Sequence, residues 1–143
     1  MRNEIALGRE FPHKIIPLIK DAQKSIDIIA YDWRWYPDQT GSQNTKFNQA
    51  IIAKARANLK VRALLNSDRL VQILAPFGIE ARRIPSGKTL HTKLMIIDDR
   101  ISIIGSHNYT TSAFMVNFEA SIIIDNEETA QEFKKYFEVL FIK

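Results

Sequence analysis

Apolar positions along the chain switch between a spacing of two and a spacing of three to four, and the switches predict the order of elements. Glu4-Ile5-Ala6-Leu7-Gly8 alternates and reads as an edge or first strand. From His13 to Lys24, Ile15, Ile16, Leu18, Ile19 and Ala22 recur at helical spacing, with lysines on the outer face and Pro12 preorganised at the helix start. Ser25 to Tyr31 reads as a buried strand, and Asp32 to Thr45, which holds Trp33, Arg34, Trp35, Tyr36, Pro37 and Gly41, reads as a loop without clean periodicity. Lys46 to Leu59 returns to helical spacing, Lys60 to Asn66 is a strand, Ser67 to Leu74 a capped helix and Gly78 to Ile84 a further strand. Pro85-Ser86-Gly87-Lys88 is a loop. Residues 90–97 and 101–104 are apolar runs broken by Asp98-Asp99-Arg100, which predicts a hairpin. Tyr109 to Met115 suits a short helix capped by Thr110 or Thr111, Phe118 to Asp125 a strand, and Glu127 to about Phe141 a final amphipathic helix. Strands alternating with helices predict a layered α/β domain, a mixed β-sheet with helices on both faces.

The hairpin carries the candidate chemistry. A strand has a side-chain period of two, so His91 and Lys93 project from one face, which pairs a nucleophile or base with a fixed cation. Folding the chain back at residues 98–100 lays Ser106 or His107 opposite His91, so that His91, Lys93, Ser106 and Asn108 gather at one end. Gly105 lets the backbone bend or approach a ligand there. Asp98 is an odd number of positions from His91, and parity sends it to the opposite face, where it secures the turn.

His91-x-Lys93-x-x-x-x-Asp98, followed by Gly105-Ser106-x-Asn108 and by Glu119, resembles the HKD signature of the phospholipase D superfamily. The short chain is similar to the single-motif bacterial nuclease branch of that family. Ala22-Gln23-Lys24-Ser25-Ile26-Asp27-Ile28-Ile29-Ala30-Tyr31 resembles the family's first helix running into a core strand, so the likeness covers nearly the whole chain. The resemblance implies the phospholipase D fold and a phosphodiesterase that needs no metal or other cofactor. It implies that Nε2 of His91 attacks phosphorus to give a phosphohistidine, while Lys93 and Asn108 hold the phosphate oxygens. Glu119 would accept a hydrogen bond from Nδ1–H of His91, and Ser106 either binds phosphate or orients that carboxylate.

Composition narrows the field of partners. The chain has 143 residues, 45% of them hydrophobic, which suits one domain spanning 1–143 with a real core. Absence of cysteine removes disulfides and thiolate metal sites, and no H-E-x-x-H or other ligand cluster is visible. No apolar segment reaches the roughly 18 residues of a membrane span, and the first residues lead into no signal-peptide core, so the expected compartment is the cytoplasm. A formal net charge of +4 favours a polyanionic partner and raises nucleic acid above neutral substrates; the expected substrate is DNA before RNA, a preference that the charge itself does not carry. Trp33 and Trp35 beside Arg34 either stack bases or plug the loop into the core or an interface. Arg82, Arg83 and Lys88 flank the approach to His91 as candidate phosphate contacts. The lysines and arginines of the two early helices read as solvated faces, and His107 and His13 as incidental.

These residues support a nuclease with little sequence preference. A lipid phosphodiesterase would use the same set with an apolar rim, a single-strand ribonuclease would be chemically indistinguishable, and a non-catalytic nucleic-acid-binding module would have no need of the complete set. The two-step mechanism requires one histidine to attack and a second to protonate the leaving group, yet one H-x-K motif is present. The resemblance therefore implies a homodimer with one active site on its two-fold axis.

Overall fold

The computed structural model describes residues 2–36, 39–85 and 87–142; Pro37 and Ser86, both read as loop residues, lie outside the described residues. The elements in chain order are β1 (Arg2–Leu7), α1 (Glu10–Lys20), β2 (Ser25–Ile29), α2 (Gln43–Arg56), β3 (Lys60–Leu65), α3 (Asp68–Leu74), β4 (Glu80–Arg83), β5 (Leu94–Ile97), β6 (Ile101–Gly105), α4 (Thr111–Met115), β7 (Ala120–Asp125) and α5 (Glu127–Phe141). The strands form one sheet of seven in the order β1-β7-β6-β5-β2-β3-β4. β2, β3 and β4 run parallel, because helical crossovers join them, while β5, β6, β7 and β1 pair antiparallel.

Local chemistry sets the boundaries. Glu10 Oε1 accepts from the Leu7 N–H at 2.9 Å and starts α1 three residues earlier than its apolar spacing predicts. That helix also ends earlier, at Lys20, because the carboxylate of Asp98 takes the main-chain N–H groups of Gln23, Lys24 and Ser25 at 2.7–3.1 Å. Helix α2 starts at Gln43, ahead of the expected Lys46, since Ser42 Oγ accepts from the Thr45 N–H and caps it. The hairpin turn has Asp98 and Asp99 both at positive φ, with the Arg100 N–H bonded to the Ile97 carbonyl, a type I′ arrangement that matches strand twist. Asp98 thus has the structural role its parity predicts.

Helices cover both faces, but unequally. Phe11, Ile15 and Ile19 of α1, Phe47 and Ile51 of α2, Leu70 and Leu74 of α3 and Phe114 of α4 share one core with Ile26, Ile28, Val61, Met95 and Ile103. On the other face α5 stands alone, packing Ala130, Phe137 and Phe141 against Ile29, Leu64, Leu94 and Ile96. Its position is fixed by Arg62, whose guanidinium bonds Asp27 at 2.7 Å and Glu138 at 2.5 Å beneath the rings of Phe137 and Phe141. One helix cannot cover seven strands. The row Leu94, Ile104, Ile122, Ile5 runs across four paired strands, and its exposure climbs from 1% at Leu94 to 57% at Ile5.

Candidate active site

The C-terminal ends of β2 and β3, the entry to β5, the exit of β6 and the entry to β7 all fall at one end of the sheet. His91 and Lys93 lie in an extended segment just ahead of β5, not within a strand reaching back to residue 90. Ladder bonding gives way there to a side chain: Asn66, which follows β3, donates from Nδ2 to the Leu90 carbonyl at 2.8 Å and accepts from the Leu90 N–H at 3.3 Å. The same amide reaches the Tyr31 carbonyl at 3.3 Å, so the ends of β2 and β3 together hold the segment that carries His91.

The His91 ring rests on Tyr31, centroids 4.6 Å apart, and Lys93 Nζ stands 5.2 Å above the same phenol. Nζ is 3.3 Å from Nδ1 and 3.5 Å from Nε2 of His91 and donates to the His91 carbonyl at 3.0 Å. Burial lowers the pKa of Lys93, with the nearby Glu119 charge opposing it. The motif spacing therefore delivers an imidazole and an ammonium to one face, as strand periodicity predicts.

Ser106 Oγ donates to Glu119 Oε1 at 2.6 Å and accepts the Ala120 N–H at 3.0 Å, and Asn117 Nδ2 reaches Glu119 Oε2 at 3.2 Å. Of the two roles open to Ser106, this geometry is that of orienting the carboxylate. It also departs from the resemblance, because both Glu119 oxygens are engaged by these two residues and Lys93 stands at Nδ1 of His91. Among the described residues no hydrogen bond joins Glu119 to His91. Asn108 is half-buried, and among the described residues its Oδ1 has no hydrogen-bond partner. Gly105 is needed for a reason other than a ligand. A Cβ there would collide with the main chain of Ala120 and Ser121, so glycine permits β6 to meet β7.

Several expected contacts fall elsewhere. Trp33 is 5% exposed, donates from Nε1 to Asn48 at 2.7 Å and meets Tyr109 edge-on, so it is a core plug and not a stacking platform. Trp35 stacks on Phe77. Arg34 is exposed at the rim, its Nε 2.8 Å from Asp32. Lys88 lines an apolar hollow of about 380 Å³ with Ile84, Leu90, Tyr136 and Leu140 on the α5 side, since Leu90 and His91 point to opposite faces. Arg82 packs over Phe141 and bonds its carbonyl, away from His91, whereas Arg83 donates to the Asn66 carbonyl. His107 is buried, stacked on Phe11, with Ser121 at Nδ1 and the Gly8 carbonyl at Nε2; burial lowers its pKa.

Beside the Tyr31–His91 contact lies a polar cleft of about 320 Å³ lined by Asp32, Arg34, Asn66, Ser67 and Arg69. The sequence pattern missed Asn66 and Arg69. The available signal was position, because ligands of open α/β sheets gather at the carboxyl ends of parallel strands.

A histidine and a lysine on one face, with a serine-held carboxylate across the sheet end, is the arrangement of a phosphoryl-transfer site. Residues 15–141 match the family described as "Cardiolipin synthase, PLD-like domain", and the chain belongs to that phospholipase D-like family. It is 23% identical over 134 residues to the mitochondrial cardiolipin hydrolase of Xenopus laevis, covering 90% of this chain and 60% of that protein. The chain spans less than two thirds of the length of the curated relatives it first matches. NucT from Helicobacter pylori superposes with a TM-score of 0.80 at 20% identity, covering 98% of this chain and 95% of NucT. Nuc from Salmonella typhimurium, a phospholipase D family member, superposes with a TM-score of 0.80 at 21% identity and the same coverage. Among the described residues no helix is long and apolar enough to cross a membrane.

Proposed function

We propose that this chain is a metal-independent phosphodiesterase that hydrolyses nucleic acid, DNA before RNA, through a phosphohistidine. The observation that carries the reading is an exposed His91 with a half-buried Lys93 at its side, next to a cleft edged by Arg34 and Arg69. In the first step Nε2 of His91 attacks phosphorus as the bond to the leaving oxygen breaks, and that oxygen takes a proton from a general acid. Water then attacks the phosphohistidine, the P–N bond breaks, and the water's proton passes to the conjugate base of that acid. Lys93 moves from the imidazole to a phosphate oxygen, Asn108 donates to another, and Glu119, steadied by Ser106 and Asn117, supplies negative charge to the cationic imidazole.

Among the described residues no second histidine bonds to or stacks on His91. His107 has both nitrogens engaged in the core, and His13 is on α1. We infer a homodimer in which His91 of a second copy protonates the leaving group. The half-covered face behind α5 supports it, because exposed Ile5, Leu7, Tyr136 and Val139 offer an apolar surface to a second copy.

A lipid phosphodiesterase is the second reading. It is favoured by Phe118, fully exposed next to Glu119, and by Val116, which together form an apolar rim the sequence pattern did not reveal. Relatives named as cardiolipin hydrolases and cardiolipin synthases agree with it. Incubating the chain with labelled DNA, RNA and phospholipid in parallel tests both. Cleavage of DNA first is the expected result, and turnover of phospholipid alone would overturn the nuclease reading.

A further inference from the structure

A hollow of about 600 Å³ lies between α1 and α2, and His91 is not among its lining residues. Pro12, Ile16, Pro17, Ala50 and Ala53 form its floor, and His13, Lys20, Lys46, Gln49 and Lys54 stand along its walls. No aspartate or glutamate lines it, and Lys20, Lys46 and Lys54 bring three formal positive charges to its lining in a chain whose net charge is +4, Lys54 Nζ donating to the Ala22 carbonyl at 3.0 Å. Lys14, on the other side of α1, is held by Glu4 and Glu10, whereas among the described residues neither Lys20 nor Lys46 has a carboxylate within ion-pair distance. The early-helix lysines are thus not an evenly solvated face.

The groove has a direction. Helices α1 and α2 both start at the end of the sheet that carries His91 and run toward the opposite end, so Pro12 and Lys46 lie at the active-site end and Lys20 and Lys54 at the far end. The eight helical steps from Lys46 to Lys54 span about 12 Å along the helix, the axial length of three to four phosphates of one strand. We propose that this groove is a track for the sugar–phosphate backbone of the nucleic acid whose scissile diester sits at His91. Small floor residues let a strand approach closely, while lysines on both walls neutralise its phosphates without reading sequence. A concave channel between two helices suits a linear polyanion; a flat anionic bilayer would touch its rims alone.

The inference rests on the nucleic-acid reading, and the test separates the two. Binding of a single strand of about 24 nucleotides is measured by anisotropy on His91→Ala chains with and without Lys20→Glu and Lys46→Glu. Turnover of a thymidine p-nitrophenyl phosphodiester is measured on chains that keep His91. The track predicts at least a tenfold rise in Kd for the long strand, a salt slope smaller by about 1.4, unchanged turnover of the small diester, and affinity retained in Lys20→Arg/Lys46→Arg. Unchanged affinity for the long strand would overturn the track, as would equal loss on the small diester. Lysine-dependent binding of phosphatidylglycerol vesicles with unchanged strand affinity would overturn it too. Lysine-dependent binding by a chain that cleaves no nucleic acid would sink the nuclease reading and leave the track standing, and absence of any strand binding would sink both.

Discussion

Asn66 holds Leu90 at both of its main-chain groups, donating to the carbonyl and accepting from the N–H, one residue ahead of His91. The contact replaces the ladder that would exist if β5 began earlier, and it sets where the imidazole stands. Asn66→Ala should therefore lower kcat ten- to hundredfold with little change in KM, since a displacement of about 1 Å at a reacting group costs that much. Asn66→Asp, which accepts but cannot donate, should recover part of the loss. A normal kcat in Asn66→Ala would show that the segment is held without this clasp.

Asp98 belongs to the motif by sequence and to the scaffold by structure. Burial works to raise its pKa, but the N–H groups of Gln23, Lys24 and Ser25 outweigh burial and hold it below the usual carboxylate value. Asp98→Ala should cost about 1.5–3 kcal/mol of stability by leaving those donors without their anion. A folded-state pKa that is depressed makes a contribution present above the unfolded value, near 4, and lost as pH falls through the folded one. The deficit of Asp98→Ala against wild type in denaturant melts should accordingly be full at pH 7 and shrink in acid. A deficit independent of pH would remove the charge from the account.

The contrast between Asp98 and Asn66 shows what the residue pattern could carry. A period of two through residues 91–93 placed His91 with Lys93, and that period survives although the segment lies just ahead of β5, while Asp98 falls in the turn beyond it. The seven-stranded order, the clasp of Asn66 on Leu90 and the bond from Ser106 to Glu119 join residues 13 to 24 positions apart or across strands, and no local period encodes them. Trp33 was ambiguous for a related reason. Its environment depends on Asn48 and Tyr109, which only the packed α2 and α4 regions bring near.

The covalent step gives a direct chemical readout. With a phosphate-labelled substrate and a quench that avoids acid, label should be trapped on His91 as an acid-labile adduct, and His91→Ala should abolish both trapping and turnover. Turnover should survive excess EDTA, because each role is assigned to a side chain. Loss on chelation that magnesium or manganese restores would defeat that assignment.

The shared site makes a stoichiometric prediction. One chain offers His91 alone at this site, since His107 is spent on Ser121 and Gly8 and His13 stands on α1. If His91 of each copy is required, the two roles fall to the same residue in different chains, and the substrate breaks their equivalence when it binds. Equal amounts of wild-type and His91→Ala chains, unfolded and refolded together until random mixing is confirmed, then form pairs of which about a quarter are wild type on both sides. Activity should be about a quarter of that from the same total of wild-type chain. Independent sites would give about a half. Leu7→Glu, which places a charge on the exposed apolar face behind α5, should separate the copies and lower activity in proportion to the monomer measured by sedimentation. An activity near a half, or a Leu7→Glu chain that is monomeric yet fully active, would return the search for the general acid to a single chain.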